Sequence, residues 1–239
     1  MKTVVIIQAR LTSTRLPGKV LKPIGPHLAL SHTWLRATQT GLRTVLATPM
    51  IQRLTIAMAL QEDLQKVSVD SCLTLYGGSE EDVLGRYTEA AMQEQADIVV
   101  RLTGDRPFID PRMVWTCAHG VAQHNCYVAN CLPGKRTEPR GLDVEAFPAW
   151  ALVDADLYAT SNEDREHVTP WITRNLRQQE MVASTNRPDL RWVLDTQEDY
   201  EWFCKLATMS DCTPPHPTTP ELLTFLKEHP EMERRDGTP

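Results

Sequence analysis

Thr3-Val4-Val5-Ile6-Ile7 is a continuous β-branched run that passes straight into a polar, Pro/Gly-bearing loop from Gln8 to Gly18, followed by Lys19. No feature of the chain constrains its fold more. An apolar run this short and this continuous suits a strand buried on both faces, as in a parallel sheet covered by helices. A polar loop leaving the carboxyl end of such a strand lies where open α/β sheets bind nucleotides.

The rest of the chain repeats the pattern. Thr44 to Thr48 reads as a second strand and about Met50 to Lys66 as a helix. Leu73 to Tyr76 reads as a strand ending at Gly77-Gly78. Ser79-Glu80-Glu81-Asp82 is a capping-box variant that opens a helix to about Gln95. Asp97 to Leu102 is a strand ended by Thr103-Gly104-Asp105, and Pro111 occupies a favoured first helical position. Gly134 to Pro148 is loop-rich and then strand-like. Helices are expected over about 148–159 and 163–179, the second interrupted by Pro170. Arg191 to Leu194 is a late strand ending in Asp195-Thr196, followed by a helix to Met209. The alternation predicts an α/β fold of three layers: a mostly parallel sheet with helices on both faces. The domain reading is a unit over 1–210, then a Pro-rich linker and terminal helix over 211–239, with residues 231–239 frayed.

Composition excludes some classes. A net charge of −6 over 239 residues argues against general binding to a nucleic-acid backbone. No apolar stretch approaches the roughly 20 residues that span a bilayer. The opening apolar run is too short for a signal-peptide core, so a cytoplasmic protein is expected. The charge is unevenly placed. Residues 1–61 hold no Asp or Glu but carry Lys2, Arg10, Arg15, Lys19, Lys22, Arg36, Arg43 and Arg53. That asymmetry suits a local site for a polyanionic small molecule.

Arg10, Arg15 and Lys19 place three cations at short intervals beside small hydroxyl residues, a pattern that suits phosphate oxygens. A solvated basic surface loop would show the same residues. The loop is no Walker motif: Ser13 stands in place of its first glycine, and Val20 follows Lys19. Asp105 and Asp195 each follow an expected strand, so both carboxylates could face one crevice. Mg²⁺ favours one or two carboxylates completed by phosphate oxygens and water. The alternatives are a turn residue for Asp105 and a helix-capping position for Asp195. Arg140, Asp143 and Glu145 alternate along an expected strand, while Arg165, Glu166 and His167 sit near a helix start. They are candidate acceptor-binding residues or surface ion pairs.

Two other patterns compete. Cys117, His119, His124, Cys126 and Cys131 offer zinc ligand types without paired spacing. Reduced, buried thiols are the alternative, for these and for Cys72, Cys204 and Cys212. Asp154-Ala155-Asp156 matches the metal motif of a glycosyltransferase but lies in an apparent amphipathic helix.

The segment IIQARLTSTRLPGKVLKPIG resembles the opening of the spore-coat-polysaccharide-type cytidylyltransferases, relatives of the CMP-sialic acid and CMP-Kdo synthetases. The resemblance continues in order through GGSEEDVLGRY (77–87), TGDRPFIDP (103–111), PRGLDVEAF (139–147), EDREHVTPWI (163–172) and LDTQEDYE (194–201). About His27 to Thr44 and the Pro-rich tail depart from the family pattern. The resemblance implies transfer of CMP from CTP to an anionic acceptor, an acidic sugar or a phosphonate- or phosphate-type acid, with release of pyrophosphate. It implies Mg²⁺ on Asp105 and Asp195, and catalytic roles for Arg10, Arg15 and Lys19. It implies a nucleotide cradle from Gln8, Ala9, Arg10, Gly78, Ser79, Asp82 and Asp105, and a homodimer with about 130–160 as dimerisation or acceptor segment. A non-catalytic nucleotide-binding regulator of the same fold would share these residues.

Overall fold

A computed structural model describes residues 1–67, 73–182 and 185–237. Cys72 lies outside them. The strands are β1 (Thr3–Gln8), β2 (Pro23–Ile24), β3 (His27–Leu28), β4 (Arg43–Pro49), β5 (Leu75–Gly78), β6 (Ile98–Thr103), β7 (Tyr127–Ala129), β8 (Glu145–Pro148) and β9 (Gln178–Glu180). The α-helices are α1 (Ala29–Thr38), α2 (Arg53–Gln65), α3 (Val83–Gln93), α4 (Pro111–His124), α5 (Ala149–Tyr158), α6 (Asn162–His167), α7 (Pro170–Asn175), α8 (Gln197–Met209) and α9 (Thr219–Glu228). No helix of the described residues is long and apolar enough to cross a membrane.

Alternation along β1 decides the layers. Val5 and Ile7 point into one apolar cluster, shared with α1, α2 and α4. Val4 and Ile6 point into a second on the opposite face, shared with α3 and α5. All four are fully buried. The seven-stranded sheet runs β5-β4-β1-β6-β8-β7-β9. Pairings from β5 through β6 are parallel, and β8 is antiparallel to both neighbours. From β1 the chain goes out to β4 and β5, then returns to β6 on β1's other side. The carboxyl ends of β1 and β6 therefore flank the switch point of the sheet, with Gln8 beside Thr103.

Several segments differ from expectation. Pro170 splits the long helix expected over 163–179 into α6 and α7, serving as the first residue of the second. The polar residues that follow form β9 by pairing with the open edge of β7. Arg191–Leu194 is not a sheet strand. It is an extended segment that bridges Arg140 and donates Leu194 N–H to the Asp105 carbonyl at 3.0 Å. Of the residues expected to fray, Met232, Arg234 and Asp236 are docked, and residues 238–239 lie outside the described ones. Leu222, Leu226 and Met232 enter a third cluster with Leu16, Phe108, Trp192 and Phe203. Arg234 then pairs with Asp199 at 2.8 Å.

This third cluster holds the segment that carries Asp195. Asp199 is 1% exposed and accepts the backbone N–H groups of Asp195 and Thr196. Burial would push its carboxyl up, but Arg191 and Arg234 hold it down at about 2. Gly141 adopts φ +109°, and a Cβ there would lie 2.4 Å from the Trp192 carbonyl carbon and oxygen. Only glycine allows that approach.

Two predictions test this scaffold. Gly141→Ala should lower unfolding stability by at least about 2 kcal/mol in urea titration, through backbone clash and strain. Asp199 is depressed in the folded state, so its contribution is complete above about pH 4 and is lost as pH falls toward 2. Asp199→Asn should cost roughly 2 kcal/mol at pH 7 and flatten that acid limb of the stability curve, measured by thermal unfolding against pH.

Candidate active site

The loop after β1 folds back on itself. Gly18 N–H donates to the Leu11 carbonyl at 2.8 Å, and Leu11 N–H donates to the Gln52 side chain at 2.7 Å. Leu16 anchors the loop in the third cluster and Val20 in the first. Lys19 lies between these anchors. Its Nζ donates to Asp105 Oδ2 at 2.6 Å and to Asp195 Oδ1 at 3.0 Å. Arg15 reaches the other oxygen of Asp195 at 2.6 Å. Thr103 donates to Asp105 Oδ1 at 2.6 Å. One ammonium thus joins carboxylates that are ninety residues apart in sequence.

These groups line a cleft of about 300 Å³ at the switch point, with Gln8, Ala9, Arg10, Arg140 and Asp143 also in its wall. Gly104 lets the ends of β1 and β6 close together: its N–H donates to the Gln8 carbonyl at 2.8 Å, and a Cβ would meet Leu30 at 2.8 Å. Burial pushes the Asp105 carboxyl up, yet Lys19 and Arg106 hold it below the usual carboxylate range. Asp105 is therefore an anion well above that range. Two hard oxygen donors meeting at one cation fit Mg²⁺, and the ammonium between them shows that the pair accepts a positive charge. Among the described residues, no group of three or more His, Cys, Asp or Glu could hold a metal without other ligands. A site of two carboxylates would need oxygens from a bound phosphate or water.

The other expected residues divide. Asp82, Arg165 and Glu166 line a neighbouring open hollow together with Arg10, which comes within 3.8 Å of Glu166. Asp82 also caps α3 and is gripped by Arg165. Gly78 and Ser79 do not line the cleft. They support Arg86, which donates to the Ser79 carbonyl at 2.5 Å and leaves no room for a Cβ at Gly78 without displacement. Glu145, expected among the acceptor-binding residues, does not line the cleft. It points into the protein, where Arg101, Tyr127 and Thr169 bind it, because β8 pairs with β6 and sets Glu145 beside Arg101. His167 ends α6 on the exposed surface and lines neither opening.

Two cleft arginines were not singled out in the sequence. Arg86, on α3, is 2% exposed and lines the cleft. Arg106 lies on the Asp105 loop and pairs with Asp143 at 2.9 Å. Both sit inside the segments GGSEEDVLGRY and TGDRPFIDP, but neither has a spacing that distinguishes it from a surface arginine. The competing metal patterns separate in space. Cys117 and Cys126 are buried in the first cluster, whereas His119 and His124 are exposed on α4. Asp156 of the Asp-Ala-Asp triplet lies on α5, 2.7 Å from Arg165 and outside the cleft.

Comparison with known proteins agrees with this geometry. A cytidylyltransferase family model matches residues 4–213. The spore coat polysaccharide biosynthesis protein SpsF of Bacillus subtilis is 31% identical over 95% of this chain and 94% of its own length. A 3-deoxy-manno-octulosonate cytidylyltransferase of Pasteurella multocida is 32% identical over 58% of this chain and 51% of its own. The structure of a cytidylyltransferase from Leptospira borgpetersenii superposes with a TM-score of 0.87 at 26% identity, covering 100% of this chain and 99% of that one. A CMP:2-keto-3-deoxy-manno-octonic acid synthetase structure, at TM-score 0.61 and 22% identity, shares the fold. With the family model spanning most of its length and a cationic loop facing paired aspartates at the sheet's switch point, this chain belongs to the cytidylyltransferase family.

Proposed function

We propose that this protein transfers CMP from CTP to a small anionic acceptor and releases pyrophosphate. The observation that supports this most strongly is the convergence of Lys19, Arg15, Asp105 and Asp195 in one cleft, within a chain of this family. In this reading an acceptor oxygen attacks the α-phosphorus. A new O–P bond forms, the bond from that phosphorus to the α–β bridging oxygen breaks, and pyrophosphate leaves with the electron pair.

The protein's work is positioning and charge stabilisation. Arg15 and Lys19 neutralise the triphosphate and the charge that gathers on the departing pyrophosphate. Arg10 and Arg86 extend the positive wall toward the hollow beside Asp82. Gln8 and Ala9 lie where the base would pack, and the buried Gln8 amide oxygen has no partner among the described residues. Asp105 and Asp195 would hold Mg²⁺, which when bound polarises the α-phosphate. Arg106 and Arg140, which line the same cleft and pair with Asp143 and Asp236, are the further cations that an anionic acceptor would meet. A phosphonate or phosphate acceptor attacks as an oxyanion with no proton to lose, whereas a sugar hydroxyl must give one up. A homodimer belongs to the same reading, and light scattering after size exclusion measures it.

The test is pyrophosphate release with Mg²⁺ and each of the four nucleoside triphosphates across a panel of acidic acceptors. Release with CTP supports the proposal. Turnover with UTP alone overturns the base assignment, and tight CTP binding with no product for any acceptor favours a regulator. Asp105→Ala and Asp195→Ala should each cut turnover at least roughly 10²-fold while unfolding cooperatively, as for lost transition-state charge stabilisation. Near-wild-type rates would remove them from the site.

A further inference from the structure

On α1, away from the residues of the cleft, Arg36 is 2% exposed. Its Nη2 donates to the His216 and Pro217 carbonyls, each at 2.9 Å, and its guanidinium stacks 5.3 Å from the centre of the Phe108 ring. It forms no ion pair with any carboxylate among the described residues. Its Nε is sealed from solvent without an acceptor. A buried charge normally has an opposite charge beside it, because removing it from water is costly.

Arg36 also lines a cavity of about 210 Å³, with Gln39, Asp110, Arg112, Thr218 and Thr219 around it. Asp110 is the carboxylate facing this space, and it is already engaged. Arg112 binds it through Nε at 3.3 Å and Nη2 at 2.9 Å, Arg112 N–H donates at 2.9 Å, and Thr219 Oγ1 donates at 3.1 Å. Glu221 is similarly engaged at the start of α9, by Thr218 and His216. The amino ends of α4 and α9 both border the cavity, adding positive potential to two arginines.

We propose that this cavity is a second anion site, in which a small oxyanion, phosphate or carboxylate, neutralises Arg36. It does not depend on which nucleotide the cleft takes. Its importance would come from position: Phe108, beneath the Arg36 guanidinium, follows Asp105 by three residues on one loop. A ligand on Arg36 would bear directly on the loop that carries a cleft carboxylate.

The experiment is isothermal titration of inorganic phosphate into the full chain, repeated with an Arg15→Ala/Lys19→Ala double variant to remove binding in the first cleft. The expected result is phosphate binding that persists in the double variant. Adding Gln39→Trp, which plugs the cavity mouth and leaves Arg36 in place, should weaken that binding at least about 10-fold, as should Arg36→Met. If Arg36→Met fails to fold, Gln39→Trp alone decides. Competition by acetate would identify a carboxylate as an accepted ligand, and its absence a requirement for phosphate; either supports the site. Loss of all phosphate binding in the double variant, or binding unchanged by Gln39→Trp, would overturn the proposal.

Discussion

The hydrogen bond from Leu194 N–H to the Asp105 carbonyl is the constraint on which the site depends. Asp105 comes from the end of a central strand, β6. Asp195 comes from a segment outside the sheet. Without that stitch, and the backbone contact of Gly141 with Trp192 beside it, nothing in the sheet would require the two carboxylates to meet. Once they meet, their repulsion must be answered by positive charge. Lys19 and Arg15 supply it, held in place by Leu16 and Val20 on either side of Lys19.

The central sheet was legible because its signal is local. Val4 to Ile7 are apolar without interruption, which is how a strand covered on both faces must read. The loop cations Arg10, Arg15 and Lys19, and Asp105, were legible for a related reason: polar residues directly after an apolar run fall at a strand's carboxyl end. Asp195 instead follows an extended segment outside the sheet. What was not legible depends on contacts between distant segments. Gln178–Glu180 has no strand pattern, and its pairing comes from the free edge of β7. Arg191–Leu194 has the pattern of a sheet strand but lies against Arg140 instead. Glu145 looked available because alternation gives a side chain's face without saying what covers that face. Here Arg101 on the next strand claims it.

The C-terminal segment shows how a tail can take part in building a site. Met232 and the α9 leucines complete the cluster around Trp192, and Arg234 joins Arg191 on Asp199. Asp236 reaches Arg140, a residue of the cleft wall, at 3.0 Å. Exposed pairs of this kind contribute little individually. Their significance here is positional, since they tie the end of the chain to the segment that presents Asp195.

The most direct measurement of the central claim is anomalous diffraction from crystals grown with Mn²⁺ and a non-hydrolysable CTP analogue. The expected result is a metal in bonding contact with both Asp105 and Asp195, with Lys19 and Arg15 against the triphosphate. A metal peak away from either aspartate, or a triphosphate bound outside the cleft between β1 and β6, would contradict it.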